Sequence, residues 1–79
     1  MKRYLELTQV KQIGMFTLRL TFNEDVTKDV DFAAYLKKKS GLFQQLKKPS
    51  EFKKFSIDMA GGLAWKCGVD LAPEMLFEL

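Results

Sequence analysis

The chain has 79 residues, with 13 basic and 10 acidic side chains, a net charge of +3, one cysteine and no histidine. That length makes one domain, residues 1–79. A single cysteine excludes an internal disulfide, and without histidine the usual zinc ligand sets are excluded as well. At 47% apolar and 29% charged residues the composition is that of a globular domain, whose stability must come from its own core or from a partner chain.

Residues 4–10 read as a first strand, with Leu5 and Leu7 on one face. Ile13-Gly14 reads as a turn. Residues 15–22 carry the clearest pattern: Phe16, Leu18, Leu20 and Phe22 alternate with Met15, Thr17, Arg19 and Thr21. Period two over eight residues predicts a half-buried strand. Asn23-Glu24-Asp25 supplies turn chemistry. A third strand follows, with Val26, Val30 and Phe32 inward and Lys28 interrupting the inner row, as on an edge strand or as a snorkelling lysine.

Asp31 is placed to cap a short helix from about Phe32 to Lys38, which Ser40-Gly41 ends. A second short helix or turn spans 42–47, with Phe43 and Leu46 on one face. Pro49 stops it, and Pro49-Ser50-Glu51 is expected to form a further turn. Phe55, Ile57 and Met59 alternate as the inner face of a fourth strand. Gly61-Gly62 is a hairpin turn, Leu63-Ala64-Trp65 the returning strand, and Cys67-Gly68 another turn. Val69-Asp70-Leu71 is a short extended piece, and Pro73 opens a last helical turn to Phe77. The order β-β-β-α-α-β-β-α, with an optional short strand before the last helix, predicts an α+β domain: a mainly antiparallel sheet with short helices on one face.

Charge is unevenly spread. Residues 37–54 hold seven lysines (Lys37, Lys38, Lys39, Lys47, Lys48, Lys53 and Lys54) against one acid, Glu51. The simpler reading is a solvated face that keeps a small protein soluble. The functional one is a patch for phosphates or an acidic partner. Arginine, the residue of specific base and phosphate contacts, is absent from it. Phe43, Phe52 and Phe55 lie among these lysines at a spacing that suits helix cores better than base stacking. No apolar run nears the roughly 20 residues of a membrane span. After Met1-Lys2-Arg3 the residues Glu6, Gln9, Lys11 and Gln12 break any signal-peptide core. A reducing, cytoplasmic setting is the expectation.

The C-terminal segment Gly61-Gly62-x-x-x-Trp65-x-x-Gly68-x-Asp70-Leu71-x-Pro73-Glu74-x-Leu76-Phe77 resembles that of a family of small bacterial proteins, domain of unknown function 2442. The resemblance extends through Leu18–Phe22, Val30-Asp31-Phe32 with Leu36, and Gly41, Phe43, Leu46 and Pro49. Phe52, Phe55 and Ile57 continue it, so nearly the whole chain is covered. Two positions depart from the pattern: Lys66-Cys67 replaces a frequent Pro-Asn, and Ala72 replaces a Ser or Thr able to cap the last turn. The resemblance implies a small α+β domain, bacterial or phage-borne. It also implies a partner rather than an enzyme, since members are often encoded beside another very small protein, as in a toxin–antitoxin pair.

Individual residues carry little chemistry. Trp65 is read as the anchor of a small core rather than a ligand platform. Asp70 and Asp58 are read as bonding backbone amides of neighbouring turns. Cys67 has no histidine to activate it. The carboxylates at Glu24-Asp25 and Asp29/Asp31 suit a turn and an outward strand face. Gly61, Gly62, Trp65, Gly68, Asp70 and Pro73 are therefore taken as a structural signature. No catalytic, cofactor or metal site is expected. The leading expectation is a protein–protein binding module, with a homodimer through an open strand edge or an exposed apolar face as one form of it. The alternative is a nucleic-acid-associated transcriptional regulator using residues 37–54.

Overall fold

A computed structural model of the chain describes residues 5–79. The proposed start of the first strand at Tyr4 lies outside the described residues. Three strands, β1 (Leu7–Gln12), β2 (Thr17–Phe22) and β3 (Thr27–Asp31), form an antiparallel sheet in the order β1-β2-β3. Helix α1 (Phe32–Lys37), a 3₁₀ segment (Gly41–Lys47) and helix α2 (Pro49–Phe52) follow. A second antiparallel sheet has the order β4 (Phe55–Ile57), β5 (Leu63–Trp65), β6 (Asp70–Leu71), and helix α3 (Pro73–Glu78) closes the chain. The α+β class and the antiparallel pairing agree with the sequence. The strands, however, are divided between two three-stranded sheets rather than joined in one.

The alternation in β2 sets the first sheet. Leu18, Leu20 and Phe22 are buried, and Arg19 between them is exposed. On β1 the buried Leu7 and the half-buried Val10 are three residues apart, an odd spacing that a regular strand would send to opposite faces. A register shift at Thr8 resolves it: Leu7 opposes Phe22 and Val10 opposes Leu20, so both turn inward. The β2–β3 turn holds Asp25 at φ 62, a conformation acidic residues tolerate better than most.

Asp31 caps α1, its carboxylate accepting the Ala33 N–H at 2.9 Å. The six residues of α1 are too few to persist alone, and burial of Phe32 and Leu36 holds the helix in place. Pro49 does not merely stop the preceding segment. It occupies the first turn of α2, where its missing N–H costs nothing. Phe52, which ends α2, is fully buried, while Phe43 and Phe55 are half-buried.

The fourth strand is shorter than the alternation predicts. It ends at Ile57, which is 38% exposed, and Met59 is fully exposed. Asp58 is the reason. One carboxylate oxygen accepts the N–H groups of both Ala60 and Gly62 at 2.9 Å, folding the chain into a turn with Met59 at its tip.

The two sheets meet at this same turn. The Leu7 N–H donates to the Gly61 carbonyl at 2.8 Å. A Cβ on Gly61 would lie 2.2 Å from the Glu6 Cβ, and one on Gly62 would lie 2.4 Å from the Leu71 carbonyl oxygen. Gly61 also sits at φ +83. The pair therefore does more than turn a hairpin: it lets three backbone segments approach within contact distance. Buried residues of both sheets and all three helices, among them Leu20, Leu36, Phe52, Trp65 and Leu76, form one core.

Trp65 is at its centre. It is 4% exposed, its indole N–H donates to the Phe52 carbonyl at 2.7 Å, and its ring lies 6.0 Å from Phe32 and 5.7 Å from Phe52. The β5–β6 turn is closed by the Gly68 N–H on the Trp65 carbonyl and the Trp65 N–H on the Val69 carbonyl. Asp70 is exposed and makes no side-chain hydrogen bond with the described residues, contrary to the turn role expected of it. Helix α3 begins after Ala72, which offers no side-chain cap, and has Pro73 in its first turn. Lys28 neither points idly outward nor merely interrupts β3. Its ammonium donates to the main-chain oxygens of Phe77 and Leu79 and stands 5.6 Å from the centre of the Phe77 ring.

Candidate functional site

The lysine-rich segment runs through α1, the 3₁₀ segment and α2, and the structure distributes its charges over more than one surface. Lys37 and Lys47 come together on one groove, whose other lining residues are Phe16, Ala33 and Leu36. Lys38 and Lys39 line a separate cleft of 490 Å³ beside β3, with Asp29, Asp31, Tyr35 and Leu79. Lys54 pairs with Glu51 at 3.3 Å. Lys48 and Lys53 are exposed.

Lys39 is already engaged, its ammonium 4.8 Å from the Tyr35 ring centre and 5.9 Å from that of Phe43. Tyr35 and Phe43 meet edge to face at 6.1 Å. The aromatics interleaved with the lysines are thus committed to the core or to one another.

The groove has a volume of 170 Å³. Its floor is built from two places distant in sequence. Phe16 precedes β2, where its carbonyl accepts the Phe32 N–H at 2.8 Å. Its ring packs edge-on against Phe52 at 5.2 Å. Ala33 and Leu36 lie three apart on α1 and so share a helix face. Lys37 follows Leu36 at the last turn of α1, and Lys47 ends the 3₁₀ segment. Among the described residues the lining holds two cations and no acid.

A third cleft, of 500 Å³, has the opposite sign. Glu6, Asp58, Asp70 and Glu74 line it together with Leu5, Leu71 and Pro73. Among the described residues no three histidine, cysteine or carboxylate side chains are grouped so as to hold a metal. Among the same residues no helix is long and apolar enough to cross a membrane.

Among the described residues, the one two-pronged charge pair lies on the open sheet face. Arg19 and Asp29 oppose each other across β2 and β3 and form a two-pronged bond at 2.8 and 3.1 Å. That hydrogen bond, with the attraction of the charges behind it, raises the Arg19 guanidinium above its ordinary range. On the other side, the hydrogen bond from Arg19 is the main cause holding the Asp29 carboxyl below its ordinary range.

Sequence reasoning identified the basic segment but not the groove. It assigned Phe16 to the inner face of its strand, whereas half-buried Phe16 is part of the groove's floor. The available signal was Ala33: a small residue on the helix face it shares with Leu36 leaves a hollow where a larger side chain would fill it.

Comparison with curated proteins and with solved structures returns no match. The family model described as protein of unknown function (DUF2442) matches residues 7–79, nearly the whole chain, and the chain belongs to that family.

Proposed function

We propose that this protein is a protein–protein binding module and not an enzyme, working as one half of a pair of small bacterial cytoplasmic proteins encoded side by side, in the manner of an antitoxin and its partner. The observation that carries the reading is the groove of Phe16, Ala33 and Leu36, open to solvent and flanked by Lys37 and Lys47. Such a hollow, with a cation on each side, offers another chain one apolar contact with charge beside it.

The nucleic-acid alternative draws on the same lysines, but non-specific strand binding relies on exposed aromatic faces. Phe52 is fully buried, and Phe43 is packed on Tyr35 beneath Lys39. Those contacts favour a protein partner.

The test is co-expression of the full chain with the product of the adjacent gene, followed by size-exclusion chromatography at physiological salt. A stoichiometric complex free of nucleic acid is the expected result. Retention of DNA or RNA at that salt, with no co-eluting protein, overturns the reading in favour of the regulator.

A further inference from the structure

We infer that the groove between α1 and the 3₁₀ segment takes a single bulky apolar side chain presented by an acidic segment of the partner protein. This rests on the protein-binding reading above and names the chemistry of the partner.

Size is the first argument. Sites for small molecules and cofactors run to about 300–1,000 Å³. At 170 Å³ the groove is too small for a nucleotide and suits one side chain. Its floor is apolar and, among the described residues, its only charged lining residues are Lys37 and Lys47, so an apolar anchor flanked by carboxylates meets complementary chemistry at both levels.

The contrast with the other clefts sharpens this. The cleft beside β3 mixes Asp29 and Asp31 with Lys38 and Lys39, and among the described residues the charged groups lining the cleft around Gly62 are all acidic. Neither offers an apolar floor with charge of one positive sign. The surrounding segment, residues 37–54, has its single acid, Glu51, paired with Lys54. The field over the groove is therefore positive and steers acidic chains towards it.

The floor is also fixed before binding. Phe16 is held by its ring contact with Phe52 and by the Phe32 N–H on its carbonyl, so little ordering is left to occur on association.

One rival occupant lies on the molecule itself. Met59 is fully exposed beside Asp58, at the edge of the acidic cleft, and could enter the groove of a second copy. Met59 has a carboxylate on one side only, Asp58, whereas the groove carries two cations, which favours a separate partner with carboxylates on both sides of its anchor.

The experiment is a nitrogen-15 amide titration of the full chain with a capped peptide Gly-Glu-Glu-Leu-Glu-Glu-Gly at millimolar concentration. Controls replace its Leu by Ala, or its four Glu by Lys. Expected are shifts at Ala33, Leu36, Lys37 and Lys47, roughly tenfold or greater weakening for the Ala peptide, and no groove shifts for the Lys peptide. Lys37→Glu/Lys47→Glu should abolish the shifts while keeping a dispersed, folded spectrum. Equal binding of the Leu and Ala peptides, shifts elsewhere, or shifts that survive the double variant overturn the inference. So do groove shifts that grow with protein concentration alone and vanish in Met59→Ser, because the occupant is then a second copy. If the peptide fails while the adjacent gene product still co-elutes, only the groove chemistry falls and the binding-module reading stands.

Discussion

The residues that tolerate least change are those where backbones meet. Gly61→Ala forces a Cβ to 2.2 Å from the Glu6 Cβ at φ +83, and Gly62→Ala drives one to 2.4 Å from a carbonyl oxygen. Each should cost about 2–4 kcal/mol in urea unfolding, a large share of the roughly 4–12 kcal/mol expected at this length. Trp65→Phe keeps a ring in the core but removes the indole N–H, stranding the Phe52 carbonyl. A loss of about 1–3 kcal/mol is expected by the same measurement. Asp29 supplies the pH signature. Its folded carboxyl titrates lower than in the unfolded chain because Arg19 bonds the charged form. The pair's contribution is therefore fully present above the ordinary aspartate range near pH 3.9. It is lost as pH falls through the lower, folded midpoint. Carbon-13 titration of the Asp29 carboxyl should place its midpoint below the ordinary aspartate value. Both partners are nearly half exposed, so added salt should shrink the difference.

Among the elements, α3 depends most on something outside itself. It has no basic residue in its last turn and no side-chain cap at its start. Lys28 on β3 supplies the missing cation at its C-terminal end, and Phe77 packs edge-on against Phe22 at 5.3 Å. In Lys28→Ala, hydrogen exchange at Leu76 and Phe77 should speed up while amides of β2 stay protected. Loss of protection in both alike would mean that α3 is not separately anchored. Most elements were legible in the sequence: β2 from its alternation, α1 from Asp31 and the helix-length gap before Gly41, α3 from Pro73. Three features were not, each because a contact between distant residues decides it. The bulge at Thr8 follows from pairing with β2. The early end of β4 follows from the carboxylate of Asp58 binding two amides, which left Met59 outside the core. The role of Lys28 follows from a helix that begins 45 residues later.

At the scale of the whole molecule, one core serves two sheets and leaves a basic groove and an acidic cleft as separate surfaces. The charge asymmetry was plain in the sequence. The groove was not, because Phe16 and Ala33 are distant in sequence and meet only when α1 folds back on the residue preceding β2. The function proposed here places the partner on that groove. The most direct measurement is the affinity of the purified adjacent gene product, by isothermal calorimetry at physiological salt, for the unaltered chain and for Lys37→Glu/Lys47→Glu. A loss of about tenfold or more in the double variant, with its unfolding midpoint unchanged, is predicted. Equal affinity for the two proteins would contradict the account and move the interface to another surface.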